Sequence, residues 1–201
     1  MHSIEPYYNW RDFYIASEDE QSVFYGNQYS EFEFTNVCYN YLLHPQWENF
    51  GSATLFLKTI YVDYDESFAV IELIGEWNDC ISNDVMILKR EILDPMILQG
   101  IKRFVLIGEN VLNFHFEEDS YYEELFDDIE DGWVVGLNFK EHVLKEFKDN
   151  NIDYFMYFDG NEEDPLDWRI FEPQQFFELV NSRMERRLNG SFDSIYQLKP
   201  A

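Results

Sequence analysis

The chain has 201 residues, 46% of them hydrophobic, with 5 Trp, 14 Tyr and 19 Phe: enough bulk for one sizeable core, too little length for two full domains. Fourteen Lys and Arg face forty Asp and Glu, and the net charge of -26 disfavours nucleic-acid phosphates and anionic membrane surfaces as partners. The same field favours a basic protein partner, a cationic ligand or metal ions, or serves only as a self-repelling solvated surface.

Residues 1–30 mix aromatics with Ser, Glu, Asp and Gly at no sustained period, which predicts an irregular arm pinned by Trp10, Phe13, Tyr14, Phe24 and Tyr25. From there 31–201 reads as a single α/β domain, with antiparallel strands over 31–77 and alternating helices and strands over 78–188. EFEFTNVCYNYLL (31–43) alternates as a strand does, ATLFLKTIYVDY (53–64) is a second strand, and FAVIELIGEW (68–77) a third, joined to it by a tight turn. Short links predict that the three form an antiparallel meander. In ISNDVMILKREILDPMILQG (81–100), Val85, Leu88, Ile92, Met96 and Ile97 fall near helical spacing. Ser82 or Asn83 is the expected cap, Pro95 the kink or restart with Asp94 as a new cap, and Gly100 the left-handed stop. RFVLIGE (103–109), WVVGLNF (133–139) and DYFMYF (153–158) then read as strands, and 121–130 (packing Tyr122, Leu125, Phe126 and Ile129), 140–151 and 173–188 as helices, Pro173 opening the last. The fold class is therefore α/β, a mixed and largely parallel sheet with crossover helices, preceded by the strand meander and the arm.

The tetrapeptide LIGE occurs at Leu73–Glu76 and again at Leu106–Glu109, and the reading above puts both copies at carboxyl ends of neighbouring strands. NVLNF (110–114) and VGLNF (135–139) extend the echo. Ligands of open α/β sheets bind outside those ends, where strand order reverses. Glu76, Asp79 and Glu109, with His115 close by, are thus the candidate catalytic groups of a small hydrolase or metal-assisted enzyme, since paired carboxylates split their pKa values or hold a hard cation. The alternative is geometric: glycine lets the chain turn, while Glu and Asn face solvent or cap a helix.

Other motifs are sparse. There is no GxSxG, HExxH, GxGxxG, P-loop or metal-spaced Cys/His cluster, and His2, His44, His115 and His142 fall in four separate elements. No dedicated metal site and no cofactor is expected. Residues 117–131 carry nine carboxylates in fifteen positions without the pattern of an EF-hand loop. They predict either a solvated acidic helix or a docking surface for a basic partner, formed by Glu123, Glu124, Asp127 and Asp128 with Tyr121 and Tyr122 as aromatic anchors. HPQW (44–47) reads as a turn whose Trp47 covers the sheet. Cys38 and Cys80 form no CxxC and read as free buried thiols of a reducing compartment, one disulfide being the alternative. The opening MHSIEPYYNWRDFYIASEDE lacks the regions of a signal peptide, and no run is long enough to span a bilayer, so a cytoplasmic location is expected.

The order strand–strand–helix–strand–helix–strand–helix over 53–188 resembles the STAS and anti-sigma-factor-antagonist domains. That resemblance implies a mixed sheet with helices and a non-enzymatic signalling or protein-interaction role, often switched by a phosphorylated serine before a helix. The family's serine–glycine phosphosite is absent here, and Ser120 in EEDSYYEE is the positional candidate. Three functions follow as expectations: a soluble, non-catalytic interaction or regulatory module with an acidic docking surface; the small enzyme above; and a ligand-binding domain with a pocket lined by Trp47, Trp77 and Trp133. The sequence leaves the oligomeric state open.

Overall fold

The computed structural model describes residues 4–30, 32–38, 41–161 and 163–196. Residues 4–36 contribute neither helix nor strand among those described. Strands β1 (Val37–Cys38) and β2 (Tyr41–Leu42) pair antiparallel as a small sheet of their own. This corrects the expectation of one strand across 31–43 joining the main sheet; Glu31, Tyr39 and Asn40 of that stretch lie outside the described residues. The reason lies next door. Glu48 already occupies the outer edge of the following strand, exchanging backbone hydrogen bonds of 2.8 and 3.1 Å with Leu57.

The main sheet contains β3 (Leu55–Asp63), β4 (Phe68–Asn78), β5 (Arg103–His115), β6 (Trp133–Leu137) and β7 (Tyr157–Asp159), in that spatial order. β3 and β4 are antiparallel, and every later pair is parallel. The fold is thus α/β with a mixed, largely parallel sheet. Between β4 and β5 lie α1 (Asp79–Ser82), α2 (Asp84–Leu88), a π-turn (Lys89–Leu93) and α3 (Asp94–Leu98); α4 (Ser120–Asp128) and α5 (Glu141–Asp149) make the later crossovers. Pro95 sits in the first turn of α3, directly behind the π-turn, whose wider winding spares the clash of its ring with the carbonyl four residues back. Neither Ser82 nor Asn83 caps this region with its side chain: Asn83 adopts φ +50 and divides α1 from α2. Gly100 does take the left-handed stop, at φ +95. The strand expected at 153–158 is displaced, a 3-10 turn taking Ile152–Tyr154 before β7.

Because spatial order equals chain order, crossovers of one hand stack their helices on one face of the sheet. The burial pattern agrees. Leu57, Ile71, Leu106 and Val134 share a core with Val85, Leu88, Leu125 and Phe147 from the helices. Phe56 and Ile74 point the other way and pack with Cys38, Leu43 and Trp47. Trp47 covers that second face as expected, its Nε1 donating to Ile4 O at 2.8 Å. The arm wraps the β3 edge and touches both faces. Ala16 and Phe24 join the helix-side core, while Tyr7 N donates to Glu72 Oε2 at 2.8 Å. Of its expected pins, Trp10 and Phe24 are buried but Phe13 and Tyr25 are more than half exposed.

By internal packing the chain divides into two compact units, Met1–Leu166 and Asp167–Ala201. The second comprises a 3-10 turn (Trp168–Ile170) and α6 (Pro173–Tyr196). Within it, the Arg169 guanidinium lies 4.5 Å from the Trp168 ring centroid, on the ring's attractive face. No helix among the described residues is long and apolar enough to cross a membrane.

Candidate functional site

The two LIGE segments do not end their strands. β4 continues to Asn78 and β5 to His115, six residues past Glu109. The register also separates them. Glu76 pairs with Asn113, so Glu109 lies four residues back along β5, on the order of 10 Å away along the strand. The two glycines do different work. Gly75 holds φ +120 with its α-carbon against the Thr54 carbonyl, while Gly108 accepts the Phe139 ring where a β-carbon would sit. β5 carries more residues than β4 between Ile107 and Asn113, so Gly108–Glu109 and Leu112 are bulges that re-aim the strand.

The four candidate catalytic groups fall into three places. Glu76 Oε1 meets His115 Nε2 at 2.7 Å, so those two do come together, and the imidazole is 46% exposed. Asp79 is buried instead. Its Oδ1 accepts from Val85 N (2.9 Å) and Trp77 Nε1 (3.1 Å), and its Oδ2 from the Tyr122 hydroxyl (2.7 Å). Burial pushes its carboxyl up to about 6 despite these donors, with the Asp84 charge adding to the rise. Glu109 Oε1 accepts from Asn138 Nδ2 at 3.0 Å. Asn138, at φ +57, is itself bound to the 160–166 loop through Leu166 O and N, both at 2.8 Å. The strand order does not reverse, so the described sheet has no switch point of the kind at which open α/β sheets bind ligands. Among the described residues no cluster of three His, Cys, Asp or Glu side chains is arranged to hold a metal ion.

On α4, Glu123, Phe126, Asp127 and Asp128 are exposed, and so are Glu117, Glu118, Asp119, Glu130 and Asp131 around them. Tyr122 packs as the helical spacing predicts and not as a docking anchor: it is 1% exposed and stacks on Trp77, ring centroids 6.4 Å apart. Its position in the helix turns it inward beside Leu125. Tyr121 is half-buried, with the Arg90 guanidinium 6.0 Å from its ring centroid. Phe126, which the helical spacing places on the packed stripe, faces solvent instead: it is 45% exposed, beside Tyr154 at 76% and the half-buried Phe155. Phe126 lies 6.5 Å from the Tyr154 ring and 6.3 Å from Phe155, so acidic residues surround a small aromatic island.

Glu124 and Asp128 are partly committed within the fold. Lys89 Nζ, from a fully buried side chain, reaches Asp128 Oδ2 (2.5 Å), Asp94 Oδ1 (2.7 Å) and Glu124 Oε1 (3.3 Å). Burial opposes its charge, yet these carboxylates overcome it and raise the ammonium above its ordinary range. Arg90 adds contacts to Asp94 (3.1 Å) and Glu124 (2.8 Å). The clamp was not among the expected sites, although its signal is in the sequence: Lys89 stands four residues after Val85, on the apolar stripe of its helix.

A second missed cluster lies on the other side of the sheet. Lys58 donates to Glu48 Oε1 at 2.8 Å and sits 4.0 Å from the Tyr29 ring centroid, and the Tyr29 hydroxyl donates to the same Glu48 oxygen. Burial pushes Glu48 up and Lys58 down, toward their neutral forms, while their mutual attraction resists. An ionisable residue in LFLKTIYV, and another in FAVIELI, was the visible sign; Lys58 and Glu72 are register partners. Of the thiols, Cys38 is buried but Cys80 is exposed, its Sγ 2.9 Å from Phe116 O; both are free. Trp47, Trp77 and Trp133 are all buried, Trp47 and Trp77 in the cores on opposite faces of the sheet, so they do not line a common pocket.

No protein-family model matches the chain, and no curated protein matches it either.

Proposed function

We propose that the protein is a soluble cytoplasmic, non-catalytic interaction module whose α4 face docks a basic partner. The observation that carries the reading is the island of Phe126 and Tyr154 set among the exposed carboxylates Glu123, Asp127 and Asp153. Aromatic anchors supply contact area, and a carboxylate surround steers Lys- and Arg-rich segments and repels acidic ones. The net charge of -26 works in the same direction over longer range. The occupant is therefore a segment with several Lys or Arg around one bulky apolar side chain. The STAS resemblance adds a fold-level analogy for an interaction role and assigns no residue. The separation of Glu76, Asp79 and Glu109 weighs against the hydrolytic alternative, since acid–base catalysis needs its groups within reach of one substrate atom.

The test is selection of a randomised displayed peptide library on the immobilised protein, in parallel with a triple variant Glu123→Ser, Phe126→Ser, Asp127→Ser. All three positions are exposed, so the variant keeps the core. Wild-type selection enriches basic peptides carrying one large apolar residue, and the variant recovers them at least tenfold less well. Equal recovery on both, or no enrichment of basic peptides, overturns the reading.

A further inference from the structure

A cavity of about 260 Å³ lies on the face of the sheet away from the helices, between the β1–β2 hairpin and strands β4 and β5. Leu42 and Leu43 form one wall; Ile74 and the bulged Leu112 form the other. Cys38, Tyr41 and Asn110 bring polar side chains to its lining. The cavity opens to solvent past Tyr41 and Leu112, and small-molecule sites are concave, mostly apolar and marked by a few polar groups. The Leu112 bulge turns a 39% exposed leucine toward the cavity.

A carboxylate stands at the cavity rim. Glu76 directly follows the lining residues Ile74 and Gly75, pairs across to Asn113 on the neighbouring strand, and is 17% exposed. Its charge is felt at the cavity wall: burial first, and then Glu76, push the Cys38 thiol above its ordinary range. Glu76 uses Oε1 for His115, and Oε2 is the second acceptor of the same carboxylate. A ligand carboxylate here would meet Glu76 and the wider field of a chain at -26.

We propose that this cavity binds a small apolar amine, its hydrocarbon body held between hairpin and sheet and its ammonium set against Glu76. The site shares no residue with the α4 docking face, so neither test decides the other.

Three probes of nearly equal shape distinguish the parts of the proposal: benzylamine, benzyl alcohol and benzoate, each titrated by NMR with the amides of Leu43, Ile74 and Gly75 as reporters. Benzylamine binds about tenfold more tightly than benzyl alcohol, the gain expected of a charge-assisted hydrogen bond, and benzoate binds least. Glu76→Gln lowers benzylamine to the level of benzyl alcohol and leaves the alcohol unchanged, which also reports that the cavity has kept its shape. Leu112→Trp, at a partly exposed position, fills the cavity and removes the binding of all three. Failure of every probe to bind at millimolar concentration overturns the proposal, as does binding that survives Leu112→Trp. Benzoate binding as tightly as benzylamine overturns the assignment of the amine.

Discussion

Tyr122 donates its phenolic hydrogen to Asp79 Oδ2 across 2.7 Å, and both side chains are buried. The bond joins α4 to the start of α1, and with it the acidic helix to the end of β4. Tyr122→Phe leaves the carboxylate one donor short in a dry site. The cost is about 2 kcal/mol of stability, measurable by denaturant unfolding. Burial already raises the Tyr122 hydroxyl far above its usual range, so the phenol stays protonated throughout.

Asp79 also shapes the pH dependence. Its carboxyl is raised from 3.8 to about 6 in the fold, first by burial, so the folded chain holds a proton that the unfolded chain releases near pH 4. This contribution is present at low pH and is lost as pH climbs through about 6, on the order of 2–3 kcal/mol. Asp84, its buried neighbour, is raised in the same direction and remains in any variant at 79. Asp79→Asn should therefore shrink, without abolishing, the fall in stability between pH 4 and pH 7; melts at both ends of that window check it.

The repeated LIGE makes a prediction of its own. Gly75→Ala and Gly108→Ala both destabilise, by about 2 kcal/mol or more, for different reasons. At Gly75 the obstacle is backbone, with φ +120 and the Thr54 carbonyl, so no side-chain change relieves it. At Gly108 the obstacle is the Phe139 ring, and Phe139→Leu should restore part of the loss. A double-mutant cycle with a positive coupling only for Gly108 and Phe139 is the expected result.

Buried ion pairs respond unevenly to removal of one partner. Lys58→Met leaves Glu48 buried beside Tyr29 and costs about 3 kcal/mol, whereas Lys58→Met with Glu48→Gln recovers much of it. Equal losses for single and double variants, measured by thermal melting, would show that packing rather than charge sets the value of this cluster.

Much of the architecture was legible in the sequence. The alternation of apolar runs with helical spacing gave the mixed sheet from β3 onward, and Pro173 and Gly100 marked a helix start and a helix stop. What was not legible was long-range. The bulges at Gly108–Glu109 and Leu112 come from fitting β5 against β4, and no local pattern announces them. The register alone sets Glu109 two residues behind the partner of Glu76, and the bulges widen that offset to four. Helical spacing did mark Tyr122, Leu125 and Ile129 as the packed stripe of α4, and their burial rules out Tyr122 as a docking anchor; Phe126, on the same predicted stripe, is 45% exposed. The hairpin of β1 and β2 was misread because alternation says nothing of which edge is free.

The central claim is that α4 and its aromatic island form the docking face. The most direct measurement is amide chemical-shift mapping of the protein titrated with the strongest basic peptide from the selection. The account predicts shifts confined to residues 120–131 and 152–155, weakening steeply as salt rises from 50 mM to about 500 mM. Shifts that gather elsewhere on the surface, or that persist unchanged at high salt, would contradict it.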